Sequence, residues 1–125
     1  MNYLLDTHTL LWWLNNDQKL CIEAKQIISN PENLIFVSAV SAWEISIKKA
    51  IGKLSAPDNF EEAISVNCFE SLLITIEHGW KAGSLPNYHN DPFDRMLIAQ
   101  AMIENLIIIS RDAQFSQYGV NVIPA

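Results

Sequence analysis

Short apolar runs alternate along the chain with longer stretches in which apolar residues recur every three or four positions. Tyr3-Leu4-Leu5, Leu34-Ile35-Phe36-Val37, Ser71-Leu72-Leu73-Ile74-Thr75-Ile76, Leu106-Ile107-Ile108-Ile109 and Val120-Asn121-Val122-Ile123 predict strands. Their near-continuous apolar character suits a sheet covered on both faces. Helical patterns fall at 9–15, 22–29, 39–51, 59–67, 78–83 and 92–104. The third has apolar residues at 40, 43, 47, 50 and 51, with Gly52 as its stop. Strands separated by helices of this length require crossover connections, which are right-handed and make neighbouring strands parallel. The pattern therefore predicts one domain over residues 1–125. Its class is α/β, a three-layer α/β/α sandwich around a central, mostly parallel sheet of about five strands.

Composition narrows the function. Hydrophobic residues make up 50% of the 125-residue chain and charged residues 18%, which excludes intrinsic disorder. No apolar run reaches about 18 residues, so no membrane span is expected. The start, MNYLLDTHTLLWWL, lacks a basic segment and is interrupted by Asp6, unlike a signal peptide. Cys21 and Cys68 form no CxxC pair and are expected as buried thiols of a cytoplasmic protein. No phosphate-binding glycine motif is present. The net charge of -6 disfavours broad attraction to nucleic acid. Any nucleic-acid chemistry must work through a local site, where a divalent cation can reverse the sign.

Four acids fall where a parallel sheet gathers its ligands, at the carboxyl ends of the strands. Asp6 follows the first strand and Asp112 follows the fourth. Glu44 lies early in the helix after the second strand, and Asp94 opens the helix leading into the fourth. Carboxylates crowded together repel, and a hard, oxygen-preferring ion such as Mg2+ or Mn2+ relieves that repulsion. Such a centre suits in-line attack of water on a phosphodiester. Each acid also has a structural reading. Ser41-Ala42-Trp43-Glu44 matches a capping box, and Asp91-Pro92-Phe93-Asp94 is good helix-start chemistry with Asp91 as N-cap. Asp112 can cap the turn at 113–115, whereas Asp6 has the least obvious structural purpose. Thr7, Ser110 and Asp91 are candidates to support the site. Arg95 and Arg111 could clamp phosphate or orient a carboxylate, or serve as solvated charges. Lys48, Lys49 and Lys53 form either a solvated helix face or a track for RNA backbone. His8, His78 and His89 show no zinc-binding spacing, although His8 lies two residues after Asp6. Trp12, Trp13, Trp43 and Trp80 are expected in the core or at a dimer surface.

With these residues in place, the chain resembles the PIN domain family, and within it the VapC-type ribonuclease toxins of type II toxin–antitoxin systems. The resemblance spans nearly the whole sequence. It rests on Leu4-Leu5-Asp6-Thr7, on Ser41-Ala42-Trp43-Glu44-Ile45, on Asp94-Arg95-Met96-Leu97-Ile98-Ala99-Gln100-Ala101 and on Ser110-Arg111-Asp112-Ala113-Gln114-Phe115. The stretches 6–14 and 85–95 are similar to one subgroup of these toxins. The resemblance implies strand order 3-2-1-4-5 and an Mg2+- or Mn2+-dependent endoribonuclease held by Asp6, Glu44, Asp94 and Asp112. It further implies a homodimer inhibited by a cognate antitoxin protein.

Three other readings compete. A DNA-directed nuclease would use the same metal site. A non-catalytic PIN-fold binding module would not need all four acids intact. A haloacid-dehalogenase-like phosphatase requires a second Asp where this chain has His8.

Overall fold

Where each helix starts is decided by a polar side chain placed to receive otherwise unpaired backbone N–H groups. The computed structural model describes residues 1–125 and shows this at almost every boundary. The chain runs β1 (Asn2–Leu5), α1 (Thr7–Leu14), α2 (Ile22–Ser29), β2 (Leu34–Ser38), α3 (Ala39–Ala50), α4 (Phe60–Val66) and β3 (Glu70–Leu72). It continues through α5 (Ile76–Ser84), α6 (Pro92–Glu104), β4 (Ile107–Ile109), a 3-10 helix (Ala113–Tyr118) and β5 (Val122–Ile123). Asp6 caps α1, Ser38 caps α3, Thr75 caps α5, Asp91 caps α6 with Pro92 behind it, and Asp112 caps the 3-10 helix. Asn105 closes α6 in the left-handed conformation at φ 56°.

The five strands form one sheet in the order β3-β2-β1-β4-β5, with every neighbouring pair parallel. Side chains alternate between two cores. Tyr3, Leu5, Ile35, Val37 and Ile109 pack with α1, α2 and α4 on one face. Leu4 and Ile108 pack with α6 and the 3-10 helix on the other. The α/β sandwich with a covered, central parallel sheet is thus as the sequence pattern predicts. No helix is long and apolar enough to cross a membrane.

Several boundaries differ from the sequence reading. The run 71–76 is not one strand: Thr75 receives the His78 N–H, so Ile76 opens α5 after a strand that ends at Leu72. Residues 120 and 121 precede β5 rather than belong to it. Ser41 is not an N-cap, because Ser38 caps α3 directly at the end of β2 and leaves Glu44 in the helix's second turn. Lys53 lies beyond the end of α3, so the three lysines do not share one helix face. The thiols are not both buried: Cys68 is exposed and Cys21, half-buried, caps α2. Of the tryptophans expected in the core or at a dimer surface, Trp43 and Trp80 are exposed and so fall to the surface alternative.

This topology positions the site. β1 is central, flanked by β2 and β4, so the carboxyl ends of these three strands adjoin. Because α6 leads directly into β4, it runs back along the sheet and its N-terminus returns to the same rim. A buried polar pair ties α6 to β2 there. Ser38 Oγ donates to Gln100 Oε1 at 2.6 Å, and Gln100 is fully buried. Replacing Gln100 by Leu leaves that hydroxyl without an acceptor. The expected loss is about 1–3 kcal/mol, read as a lower urea midpoint at unchanged m-value.

Candidate active site

Asp6 is buried at the end of β1 with both carboxylate oxygens engaged. Oδ1 accepts the Thr9 N–H at 2.8 Å, and Oδ2 accepts the Ser110 hydroxyl at 2.6 Å. Burial pushes its carboxyl above the ordinary carboxylate range, and these hydrogen bonds only partly offset that. Ser110 Oγ also receives the Asp112 N–H at 3.0 Å, so the ends of β1 and β4 are tied through one hydroxyl. Glu44, equally buried, projects from α3 toward α1. Its Oε1 accepts the Thr7 hydroxyl at 2.6 Å and its Oε2 faces Lys48 Nζ at 2.5 Å. The Lys48 pKa is raised chiefly by that hydrogen bond to Glu44, which keeps the ammonium charged.

Asp94 sits in the first turn of α6 and is the point on which the cluster bears. Its pKa is pushed up to about 8. Burial is the first cause, followed by the charges of Asp91, Asp6, Glu44 and Asp112. The charges of these acids act in the same direction as burial, against ionisation of Asp94. Asp112 is exposed and accepts the Gln114 N–H at 2.9 Å through Oδ1. An oxygen of Asp94, an oxygen of Asp112 and a ring nitrogen of His89 all lie within 4.8 Å of one another. Asp6, His8, Trp12, Arg111 and Asp112 line an adjoining open hollow of about 320 Å³. A larger hollow, about 480 Å³ between α3, α4 and β3, is mostly apolar and lies apart from the acids.

The structure places Asp94 and Asp112 within ligand distance of one another, Asp6 on the same hollow as Asp112 with Ser110 bonded to it, and Glu44 on Thr7, the residue after Asp6. The capping and clustering roles coexist: Asp6, Asp91 and Asp112 each cap a helix. Asp6, whose structural purpose was least evident in sequence, has one after all. The arginines do not orient site carboxylates. Arg95 donates to the carbonyls of Pro86, Ala82 and Leu85 at 2.9–3.0 Å and stitches the end of α5 to α6. Arg111 donates to the carbonyls of Lys19 and Ala125 and stacks on Trp12 at 4.5 Å. The side chain that spacing rules did not flag is His89. It stands on the loop five residues before Asp94, inside a stretch singled out only by resemblance.

Carboxylate oxygens beside a half-buried Asp94 with no hydrogen bond to its side chain are donors that Mg2+ and Mn2+ accept. The fold recurs in known proteins. A PIN domain family model matches residues 3–121. The sequence is 28% identical over 123 residues to Ribonuclease VapC22 of Mycobacterium tuberculosis, covering 92% of this chain and 90% of that protein. The structure is similar to that of VapBC2 from Rickettsia felis bound to a DNA fragment from their promoter. That match has TM-score 0.72 and 14% identity, and covers 99% of this chain and 98% of the other. It is also similar to VapBC-1 from nontypeable Haemophilus influenzae, at TM-score 0.67 and 20% identity, over 99% and 98% of the two chains. At such identities the structural likeness establishes a shared fold.

Two outcomes follow for the metal-free protein. A carboxyl whose folded pKa is raised holds its proton longer in the folded state than in the unfolded chain. Its contribution is fully present below the ordinary value of 3.8 and is lost as pH rises through about 8. Asp94→Asn removes this loss. The variant's advantage in melting temperature over wild type is expected to grow between pH 5 and pH 8.5, reaching at least roughly 3 °C. A pH-independent difference contradicts the crowding. Arg95→Lys, which cannot span the same carbonyls, is expected to cost about 1–3 kcal/mol by urea denaturation.

Proposed function

This chain belongs to the PIN domain family, and on that premise we propose that it is a metal-dependent endoribonuclease, the toxin of a toxin–antitoxin pair. The observation that carries the reading is geometric: oxygens of Asp94 and Asp112 lie within 4.8 Å of each other, Asp6 and Asp112 line one hollow, and Thr7, next to Asp6, bonds Glu44. Like charges this close destabilise a protein unless a cation joins them. Asp6, Glu44, Asp94 and Asp112 would hold Mg2+ or Mn2+, directly or through water. Such an ion would supply neutralising charge and Lewis acidity for hydrolysis of a phosphodiester to a 5′-phosphate and a 3′-hydroxyl.

The chain's own residues prepare the site. Ser110 and the Thr9 N–H fix Asp6, while Thr7 and Lys48 fix Glu44, so the carboxylates need little reorganisation when charge arrives. The Lys48 ammonium, held by Glu44, is also a cation that can be offered to a phosphate group. Preference for RNA over DNA is supported by the name of the relative from Mycobacterium tuberculosis. An antitoxin partner is supported by the complexes to which the structure is similar. An arginine from such a partner fits an acidic site of this kind, pairing bidentately with its carboxylates and competing with the ion. A second copy of the chain has a candidate surface in Ile76 and Trp80, exposed one turn apart on α5. The free thiols agree with a cytoplasmic setting.

The test is incubation of the purified chain with cellular RNA, with and without Mn2+, followed by mapping of the cut ends. Metal-dependent cuts bearing 5′-phosphates are expected, with DNA of matching sequence cut at least about tenfold more slowly. Asp6→Asn, Glu44→Gln, Asp94→Asn and Asp112→Asn are each expected to lower the rate by about 100-fold or more. Cleavage that persists in chelator, or that survives both Asp6→Asn and Asp94→Asn, overturns the reading.

A further inference from the structure

His89 has an environment that its place on a surface loop does not suggest. Its side chain is only 7% exposed. One face of the imidazole is fixed: Nδ1 lies 2.8 Å from the Tyr118 hydroxyl, and the His89 backbone N–H donates to the same oxygen at 3.2 Å. Phe115 packs edge-on against the ring. The other nitrogen, Nε2, is buried and has no hydrogen-bond partner. It faces Asp94 Oδ2 at 3.7 Å, too long for a hydrogen bond. A buried polar atom left unpaired costs stability and needs an explanation.

We propose that His89 Nε2 is a nitrogen ligand of the ion held between Asp94 and Asp112, which makes this a mixed nitrogen–oxygen centre that favours transition-metal ions over Mg2+. The inference rests on reading the acids as a metal site. Three donor atoms within 4.8 Å of one another can meet one ion at bonds of about 2.1–2.3 Å with only small adjustments. Tyr118 stands where the partner of a metal-ligating histidine stands. Its oxygen can accept the Nδ1 proton and so leave the Nε2 lone pair free for an ion. The other side chains around the ring, Phe115 and Tyr118, offer Nε2 nothing polar. Asp6 and Glu44 differ, because hydrogen bonds already satisfy both oxygens of each. His89, Asp94 and Asp112 are therefore the freer donors.

The donor set has a consequence for ion choice. Mg2+ prefers oxygen ligands and water, whereas first-row transition ions accept imidazole, Mn2+ least and Co2+ more strongly. Calorimetric titration of wild type and His89→Gln with Mg2+, Mn2+ and Co2+ separately tests this without any nuclease assay. In wild type the order Co2+, then Mn2+, then Mg2+ is expected in decreasing affinity. His89→Gln is expected to weaken Co2+ and Mn2+ by about tenfold or more and Mg2+ by less than about threefold, compressing the order. Equal losses for all ions, or none, overturn the ligand assignment while leaving the acidic centre in place. Failure of wild type to bind any of the three overturns the centre itself. Should His89→Gln not fold, the wild type decides alone. In 15N-histidine-labelled protein, saturation with diamagnetic Zn2+ must move the His89 Nε2 resonance into the metal-bound range, and an unmoved resonance overturns the proposal.

Discussion

Like-charge repulsion at a single rim of the sheet is the constraint around which this molecule is organised. Asp94 receives the fields of Asp91, Asp6, Glu44 and Asp112 in a partly desolvated place. The fold cannot relieve this by rotating side chains away, because the carboxylates are anchored. Asp6 is held by Ser110 and Thr9, and Glu44 by Thr7 and Lys48. The parallel order β2-β1-β4 brings three strand ends side by side, and the return of α6 adds a helix start to them. An arrangement that rigidly stores unfavourable charge is one prepared for a ligand of opposite charge.

Capping and site construction use the same residues. Asp6, Asp91 and Asp112 each receive backbone N–H groups at a helix start, which fixes the direction of the carboxylate. The remaining oxygens are left for other work. Here the structural and functional explanations of an acid reinforce one another. A cap supplies the rigidity that a metal ligand needs, and the helix dipole tempers the repulsion that a cluster creates.

Much of this was readable in the sequence. Short continuous apolar runs and period-3.6 patterns located the strands and helices, and placing charges at strand ends picked out Asp6, Glu44, Asp94 and Asp112 before any geometry was known. The failures have physical causes. Ser38 displaced Ser41 as the cap of α3 because β2 passes into the helix with no intervening loop. The run 71–76 looked like one strand because its apolar residues are continuous. The hydroxyl that divides it, Thr75, acts through a local hydrogen bond to His78. Sequence left Arg95 and Arg111 between a site role and a structural one; their donors serve carbonyls of the loop after α5 and of Ala125, while Arg111 also lines the hollow beside Asp6 and Asp112. His89 carried no helical spacing to Asp94, since a loop rather than a helix turn brings its ring beside the acid. The closeness exists only in three dimensions, through Tyr118 on the 3-10 helix.

The most direct measurement is a crystal grown or soaked in millimolar Mn2+, with an anomalous difference map collected near the manganese edge. A peak within about 2.3 Å of oxygens of Asp94 and Asp112, with Asp6 and Glu44 bonded directly or through water, is the result this account predicts. A map without a peak among the four carboxylates, with Lys48 or another cationic side chain of the same chain neutralising Asp94 instead, would contradict it.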